Sequence, residues 1–186
     1  MIQTNKYITY KDLETWNNQF QLDIKSLDVA KGTLFLKEGQ PCHYFYYIIK
    51  GLVRTYYLDI DGNEITHWFS PEQSMITSPL SFLKGERNIL FFEALEDTKL
   101  LLLSAKQIDL IVTHIKSAGE SMRKINAEFA IALSRRVMSI HTKTAEERYL
   151  HLMEEHPYLF QKAKLSHIAS YLGITPQSLS RIRKNI

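Results

Sequence analysis

Residues 164–185 read KLSHIASYLGITPQSLSRIRKN, and their spacing predicts two short helices joined by a tight turn. Ile168, Ala169 and Leu172 fall on the inward face of the first helix. Ala169 is small where two helices crossing at about 90–120° approach closely. Gly173 stands where the chain must turn left-handed between helices, and Ile174 plugs the corner. Thr175 is a good N-cap and Pro176 suits the first helical position. Leu179 and Ile182 then anchor the second helix to the first, and the combination reads as a helix-turn-helix.

The outward residues of the second helix carry reading chemistry. Gln177, Ser178 and Arg181 lie on its exposed N-terminal half. Glutamine pairs bidentately with adenine, arginine with guanine, and serine with either. Ser180, Arg183 and Lys184 suit phosphates, as do Thr175 and Ser166 at helix starts. A merely solvated face would hold the same residue types, but solvated faces mix signs. From His156 to Ile186 there are five basic residues and no acidic one. The net charge of +3 conceals this division: residues 1–115 carry 11 basic and 14 acidic residues, residues 116–186 carry 12 and 6. A mildly acidic front half and a basic end fit a chain whose C-terminal part meets a polyanion, here double-stranded DNA.

Working back from that motif, Thr144-Ala145-Glu146-Glu147 forms a capping box. It opens a helix that turns Tyr149, Leu150, Leu152 and Met153 inward and closes at His156-Pro157. Before it runs the longest periodic segment, to about His141. Met122, Ile125, Phe129 and Ala132 keep a 3-4 spacing, widened by Leu133, Val137 and Ile140. A stripe sustained over three heptads suits a two-fold helix pair, with Met122, Ile125, Phe129, Ala132, Leu133 and Val137 as the dimer contacts. The alternative is a helix that only covers its own β-domain. Ser104-Ala105-Lys106-Gln107 is a further capping box and opens the preceding helix through Ile108, Ile111, Val112 and Ile115.

From Lys31 to Ser104 glycines punctuate β-rich runs: Thr33–Leu36, Tyr44–Ile49, Leu52–Leu58, Glu64–Phe69, Phe91–Leu95 and Thr98–Leu103. Asp61-Gly62 predicts a type I′ hairpin turn. Strict alternation in Glu64–Phe69 puts Ile65, His67 and Phe69 on one face and Thr66 and Trp68 on the other. Many short strands at about ten-residue spacing predict a roll, barrel or jelly roll. Lys11–Phe20 reads as a helix from Leu13, Trp16 and Phe20, and a short helix or turn is expected in Met75–Asn88. The fold class is therefore α+β: an antiparallel β-roll of the jelly-roll (cupin-like) kind, a long central helix and a C-terminal helix-turn-helix. The expected division is 1–115, 116–142 and 143–186, the last a short wingless form.

At 186 residues and 45% hydrophobic, the chain has enough apolar surface for a sizeable core. One cysteine, Cys42, excludes an internal disulfide framework and any cysteine-only metal centre within a single chain. No run of 18 apolar residues predicts a membrane span, and the N-terminus lacks the apolar core of a signal peptide, so a cytoplasmic setting is expected. Seven glycines are too sparse for a phosphate loop, and no nucleophile–base or paired-carboxylate constellation stands out, so no enzyme is expected.

A β-roll, a long helix and a helix-turn-helix, in that order, resemble the Crp/Fnr superfamily of bacterial transcription regulators. The resemblance is carried by Lys31-Gly32, Glu38-Gly39, Ile48-Ile49-Lys50-Gly51-Leu52-Val53-Arg54, Asp61-Gly62-Asn63-Glu64 and Glu93-Ala94-Leu95-Glu96-Asp97. TAEERYLHLMEEHP (144–157) and HIASYLGITPQSLSRIRK (167–184) look like a branch typical of Bacteroidetes-like bacteria. The resemblance implies a homodimer on a two-fold symmetric DNA site, RNA polymerase as a further partner, and a small-molecule effector at the roll. Two departures qualify it. Cyclic-nucleotide binders of the superfamily carry a Gly-Glu pair and, roughly ten residues on, an Arg-Ser pair. Between Pro71 and Ala94 only Gly85-Glu86-Arg87-Asn88 approaches that cassette, and no Arg-Ser pair exists. Cyclic AMP is therefore not expected as a ligand, no cofactor is named, and His67, Arg87 and Asn88 remain the candidate pocket residues. The chain also stops a few residues after the second helix, without the β-wing that often follows. A second reading stays open: a ligand-binding or protein-interaction module that does not touch DNA.

Overall fold

A computed structural model describes residues 6–185. Its elements follow the expected order, and the α+β class stands. Helix α1 (Tyr10–Phe20) is opened by Thr9, whose hydroxyl accepts from Asp12 N at 3.1 Å while the Asp12 carboxylate accepts from Thr9 N at 2.8 Å. Eight strands follow: β1 (Lys25–Val29), β2 (Leu34–Leu36), β3 (Tyr44–Lys50), β4 (Leu52–Leu58), β5 (Glu64–Pro71), β6 (Met75–Ile76), β7 (Phe91–Ala94) and β8 (Thr98–Ser104). Helix α2 (Pro79–Lys84) interrupts them between β6 and β7. The strands pair antiparallel in two four-stranded sheets, ordered β1-β8-β3-β6 and β2-β7-β4-β5. Between the sheets lie Val29, Leu36, Tyr46, Ile48, Val53, Phe92, Ala94 and Leu100, all buried. Stacking two sheets covers the aromatic faces that a single sheet would leave wet.

Gly51 joins β3 to β4 at φ +115, and a Cβ there would sit 2.4 Å from Thr98 Oγ1 and 2.8 Å from Thr98 Cα. Only glycine allows β8 that close. The β4–β5 hairpin differs from the type I′ expectation. Of its central residues Gly62 is left-handed and Asp61 is not. The loop is instead closed by Asp59, whose N–H donates to Asn63 O at 3.0 Å and whose carboxylate accepts from the N–H groups of Asp61 and Asn63. An acidic side chain capping its own loop replaces the second positive φ. Strand β1 lies outside the expected strands: it is short, only Leu27 and Val29 are apolar, and four of its five residues are exposed.

The helices after the roll begin with α3 (Ala105–His114), capped by Ser104 and Gln107 as predicted. Ile115 is extended and separates it from α4 (Lys116–Thr142), which includes Gly119 in its first turns. The inner part of α4 packs on the roll. Ala118 and Ile125 share a core with Leu13 and Trp16 of α1, Ile111 of α3 and Tyr47 and Leu103 of the β1-containing sheet. Then come α5 (Ala145–Glu155), α6 (Leu159–Lys162), α7 (Leu165–Leu172) and α8 (Pro176–Asn185). Thr144 and Glu147 make the capping box of α5. The core of these helices is Tyr149, Leu152, Leu159, Ile168, Ala169, Leu172 and Leu179, and it continues into Leu52, Phe69 and Leu95 of the roll. No helix among the described residues is long and apolar enough to cross a membrane.

The stripe expected to make dimer contacts divides between two sides of α4. Ile125 is 7% exposed within the core shared with the roll, and Met122 packs on that core. Phe129 meets Trp68 of β5 with ring centroids 5.3 Å apart. These three, with Leu133, face their own roll, the role weighed as the alternative, because a small roll has a second apolar face to cover. Ala132 is half-buried on a separate groove wall, and Val137, at 57% exposed, stays outward. The outward side of α4 carries Ala127, Ile131, Ser134 and Met138, all exposed and again at 4-3-4 spacing.

Candidate nucleic-acid interface and effector cavity

Helices α7 and α8 meet at Ala169 and Leu179, both fully buried. Gly173, at φ +69, is the left-handed cap of α7, and Ile174 N donates back to Ala169 O at 3.0 Å. Thr175 Oγ1 accepts from Ser178 N at 3.1 Å, and the two hydroxyls lie 3.0 Å apart. The structure therefore spends Thr175 and Ser178 on capping α8. Gln177, Ser180, Arg181, Arg183 and Lys184 of α8 are exposed, and Ser166 is exposed at the start of α7. None of these is packed against the roll. It is α7 that docks there, leaving the outer side of α8 free.

That docking uses side chains that no motif flagged. Ser170 of α7 donates to Thr66 Oγ1 of β5 at 2.8 Å and accepts from Thr66 N at 3.1 Å. Arg136 of α4 donates to Thr66 O at 3.1 Å, to His67 O and to Tyr171 O at 3.1 Å, and its guanidinium lies 4.4 Å from the Tyr171 ring. Arg148 of α5 donates to Leu172 O at 3.0 Å and to Lys143 O at 2.6 Å. Two guanidinium groups thus satisfy the last carbonyls of α7, where the helix dipole favours positive charge. Lys162 of α6 adds an ion pair to Glu96 at 2.7 Å. Behind β5, Arg54 is 1% exposed; it donates to Thr66 Oγ1 at 3.0 Å and bridges Glu64 at 2.6 Å and Glu93 at 3.1 Å. His167 of α7 is buried beside it, and burial with the Arg54 charge pushes its pKa down to about 4.

Strand β5 serves two sides because of a break in its pairing. Tyr56 pairs with Thr66 and Thr55 with Trp68, leaving His67 as an extra residue. A bulge re-aims the residues around it. Thr66 and Phe69 meet the C-terminal helices, while His67, Trp68 and Ser70 line a cavity of about 280 Å³ between the roll and α4. The strict alternation that grouped His67 with Phe69 is corrected by this bulge. Phe45, Thr55, Thr77 and Leu90 of the roll and Met122, Asn126, Phe129 and Leu133 of α4 complete most of the lining.

Residues 27–114 match the family of cyclic nucleotide-binding domains. Residues 27–114 are thus similar to cyclic nucleotide-binding domains, and the chain has the fold seen in Crp/Fnr regulators. Comparison with curated proteins gives no match. Among solved structures, FixK2 from Bradyrhizobium japonicum is 21% identical, with 88% of this chain and 84% of that one covered at a TM-score of 0.74. The c-di-GMP-responsive global regulator CLP of Xanthomonas campestris is 14% identical, covering 92% and 90% at 0.72. A transcriptional regulator of the Crp/Fnr family from Eubacterium rectale is 20% identical, covering 97% and 87% at 0.71. At these identities the likeness is one of fold.

Within residues 27–114, the three candidate pocket residues part company. His67 lines the cavity, half-buried, and burial with the nearby Arg136 charge lowers its pKa, which favours the neutral ring. Asn88 is buried away from the cavity lining, donating to Lys37 O and Leu90 O and accepting from Leu90 N. It ties down the loop after α2. Arg87 is 74% exposed and pairs with Glu38 at 3.1 Å. Neither is brought to His67. Among the described residues no group of three or more His, Cys, Asp or Glu is placed to hold a metal ion.

Proposed function

We propose that the chain is a sequence-specific DNA-binding transcription regulator that acts as a homodimer on a two-fold symmetric site, with a cyclic nucleotide-binding domain that has lost its phosphate-reading groups. The observation that carries this reading is the outer side of α8. Gln177, Arg181, Arg183 and Lys184 are exposed together on a helix fixed by Leu179, in a 31-residue segment without one acidic side chain. Such a helix fits a major groove, with Gln177 and Arg181 toward base edges and Ser180, Arg183 and Lys184 toward phosphates. Ser178 and Thr175 contribute by fixing the start of α8, with Ser166 a further phosphate donor at the start of α7.

For the second chain, the supporting feature is the outward 4-3-4 row Ala127, Ile131, Ser134 and Met138, with Val137 beside it. A two-fold pair along this row would set two α8 helices for successive major grooves, about 34 Å apart. Regulation then follows from a change in how the α4 helices and β5 hold the C-terminal helices.

Gel shifts on a selected operator and on random duplex test the reading. Arg181→Ala is expected to lose sequence preference, and Arg183→Ala to weaken all duplexes about equally and to lower the salt slope by about one. If neither change alters DNA affinity, the chain is the interaction module of the second reading.

A further inference from the structure

We infer that the cavity between the roll and α4 receives a small, uncharged, largely apolar molecule. This deepens the regulator reading and rests on it for the cavity's purpose; the class of ligand rests on the lining alone. Among the described residues, no Asp, Glu, Lys or Arg lines it. The walls are aromatic and aliphatic: Phe45, Trp68, Ile76, Leu90, Phe129 and Leu133. The polar groups are few and neutral, namely the hydroxyls of Thr55, Ser70 and Thr77, the Asn126 amide and the imidazole of His67. Thr77 already donates to Tyr44 O at 3.0 Å.

The arginines that could have met a phosphate are committed elsewhere. Arg87 is exposed and held by Glu38, Arg54 sits between Glu64 and Glu93, and Arg136 is spent on backbone carbonyls of β5 and α7. An anion in this cavity would lose its water and gain no counter-charge, which costs several kcal/mol. A neutral ring system loses little and gains the apolar walls. The volume of about 280 Å³ lies near the lower end for small-ligand pockets, which suits a molecule of two or three rings. The occupant would press on His67 and Trp68, the bulged stretch of β5 whose reverse side holds α7.

The test is a fluorescence titration of the full chain, without DNA, using two probes that share one skeleton. N-phenyl-1-naphthylamine is neutral, and 8-anilinonaphthalene-1-sulfonate adds a fixed negative charge. Saturable binding of the neutral probe at one site per chain is expected, with the sulfonate about tenfold weaker or worse, and with no displacement by cyclic AMP. Met122→Trp, which fills the cavity from α4, should weaken the neutral probe about tenfold; Leu133→Trp does the same from the next turns should the first variant fail to fold. Asn126→Lys, at an exposed rim position, should narrow the gap between the probes. Equal affinity for both probes, displacement by cyclic AMP, or neutral-probe binding indifferent to the filling substitutions would overturn the inference. A gel shift on the same sample separates the two proposals: probe discrimination without DNA binding overturns the regulator and leaves the ligand class standing.

Discussion

Arg136 gives three carbonyl oxygens, on two segments far apart in sequence, a charged donor. Its Nε is buried without a partner among the described residues. Deleting it returns the desolvation cost of one cation but strands three acceptors at the seam between β5 and α7. Arg136→Ala is therefore expected to destabilise the chain by about 2–3 kcal/mol in urea melts. Arg136→Lys should recover little of this, because an ammonium cannot span both carbonyl sets or stack on Tyr171. His167 poses a different problem, since its buried Nδ1 also lacks a partner among the described residues and its folded pKa is pushed down to about 4. The unfolded chain takes up this proton near pH 6.5, while the folded one holds the ring neutral. Its contribution is complete above pH 6.5 and is lost as pH falls toward 4, about 2 kcal/mol between pH 7 and pH 5. His167→Leu should flatten that slope and cost little at pH 8; an unchanged slope between the two proteins would show that another group sets it.

At the scale of elements, β5 joins the cavity to the C-terminal helices, and the Thr66–Ser170 pair is a polar contact between β5 and α7. A double-mutant cycle with Thr66→Val and Ser170→Ala is expected to show a coupling of about 1 kcal/mol in unfolding free energy, against near-additivity for Ser170→Ala with a distant exposed change such as Gln177→Ala. The elements that sequence reading recovered are those with local chemistry. Thr144/Glu147 and Ser104/Gln107 cap within four residues, and the Gly173–Thr175 turn states its own geometry. What it missed depends on partners distant along the chain. The bulge at His67 is set by pairing with β4 and erases the alternation on which face assignment relied. The α4 periodicity located an apolar stripe correctly but could not say whether a roll or a second chain covers it, and Ile125 went to the roll. Arg136 and Arg148 were invisible because their acceptors are backbone carbonyls, which leave no residue-type signature. Asn88 looked like a pocket residue for want of knowing that Lys37 and Leu90 would fold around it.

For the molecule as a whole, the decisive surface is the side of α4 that the roll leaves bare. The roll-facing row already buries Ile125 and half-buries Met122 and Phe129, so in the proposed dimer a second chain would use the opposite row, centred on Ile131 and Met138. These two are 47% and 54% exposed in the single chain, unusual for apolar side chains in the middle of a long helix. Replacing both with glutamate would place four carboxylates along the proposed two-fold seam while leaving the core of each chain untouched. Sedimentation of the Ile131→Glu, Met138→Glu double variant should therefore give a monomer with the circular dichroism of the parent. Its operator affinity should drop by at least about a hundredfold, since one α8 then holds one half-site alone, whereas binding to random duplex should fall far less. A variant that still sediments as a dimer would move the seam to another face of the molecule. A monomer that keeps full operator affinity would instead detach DNA recognition from two-fold symmetry altogether.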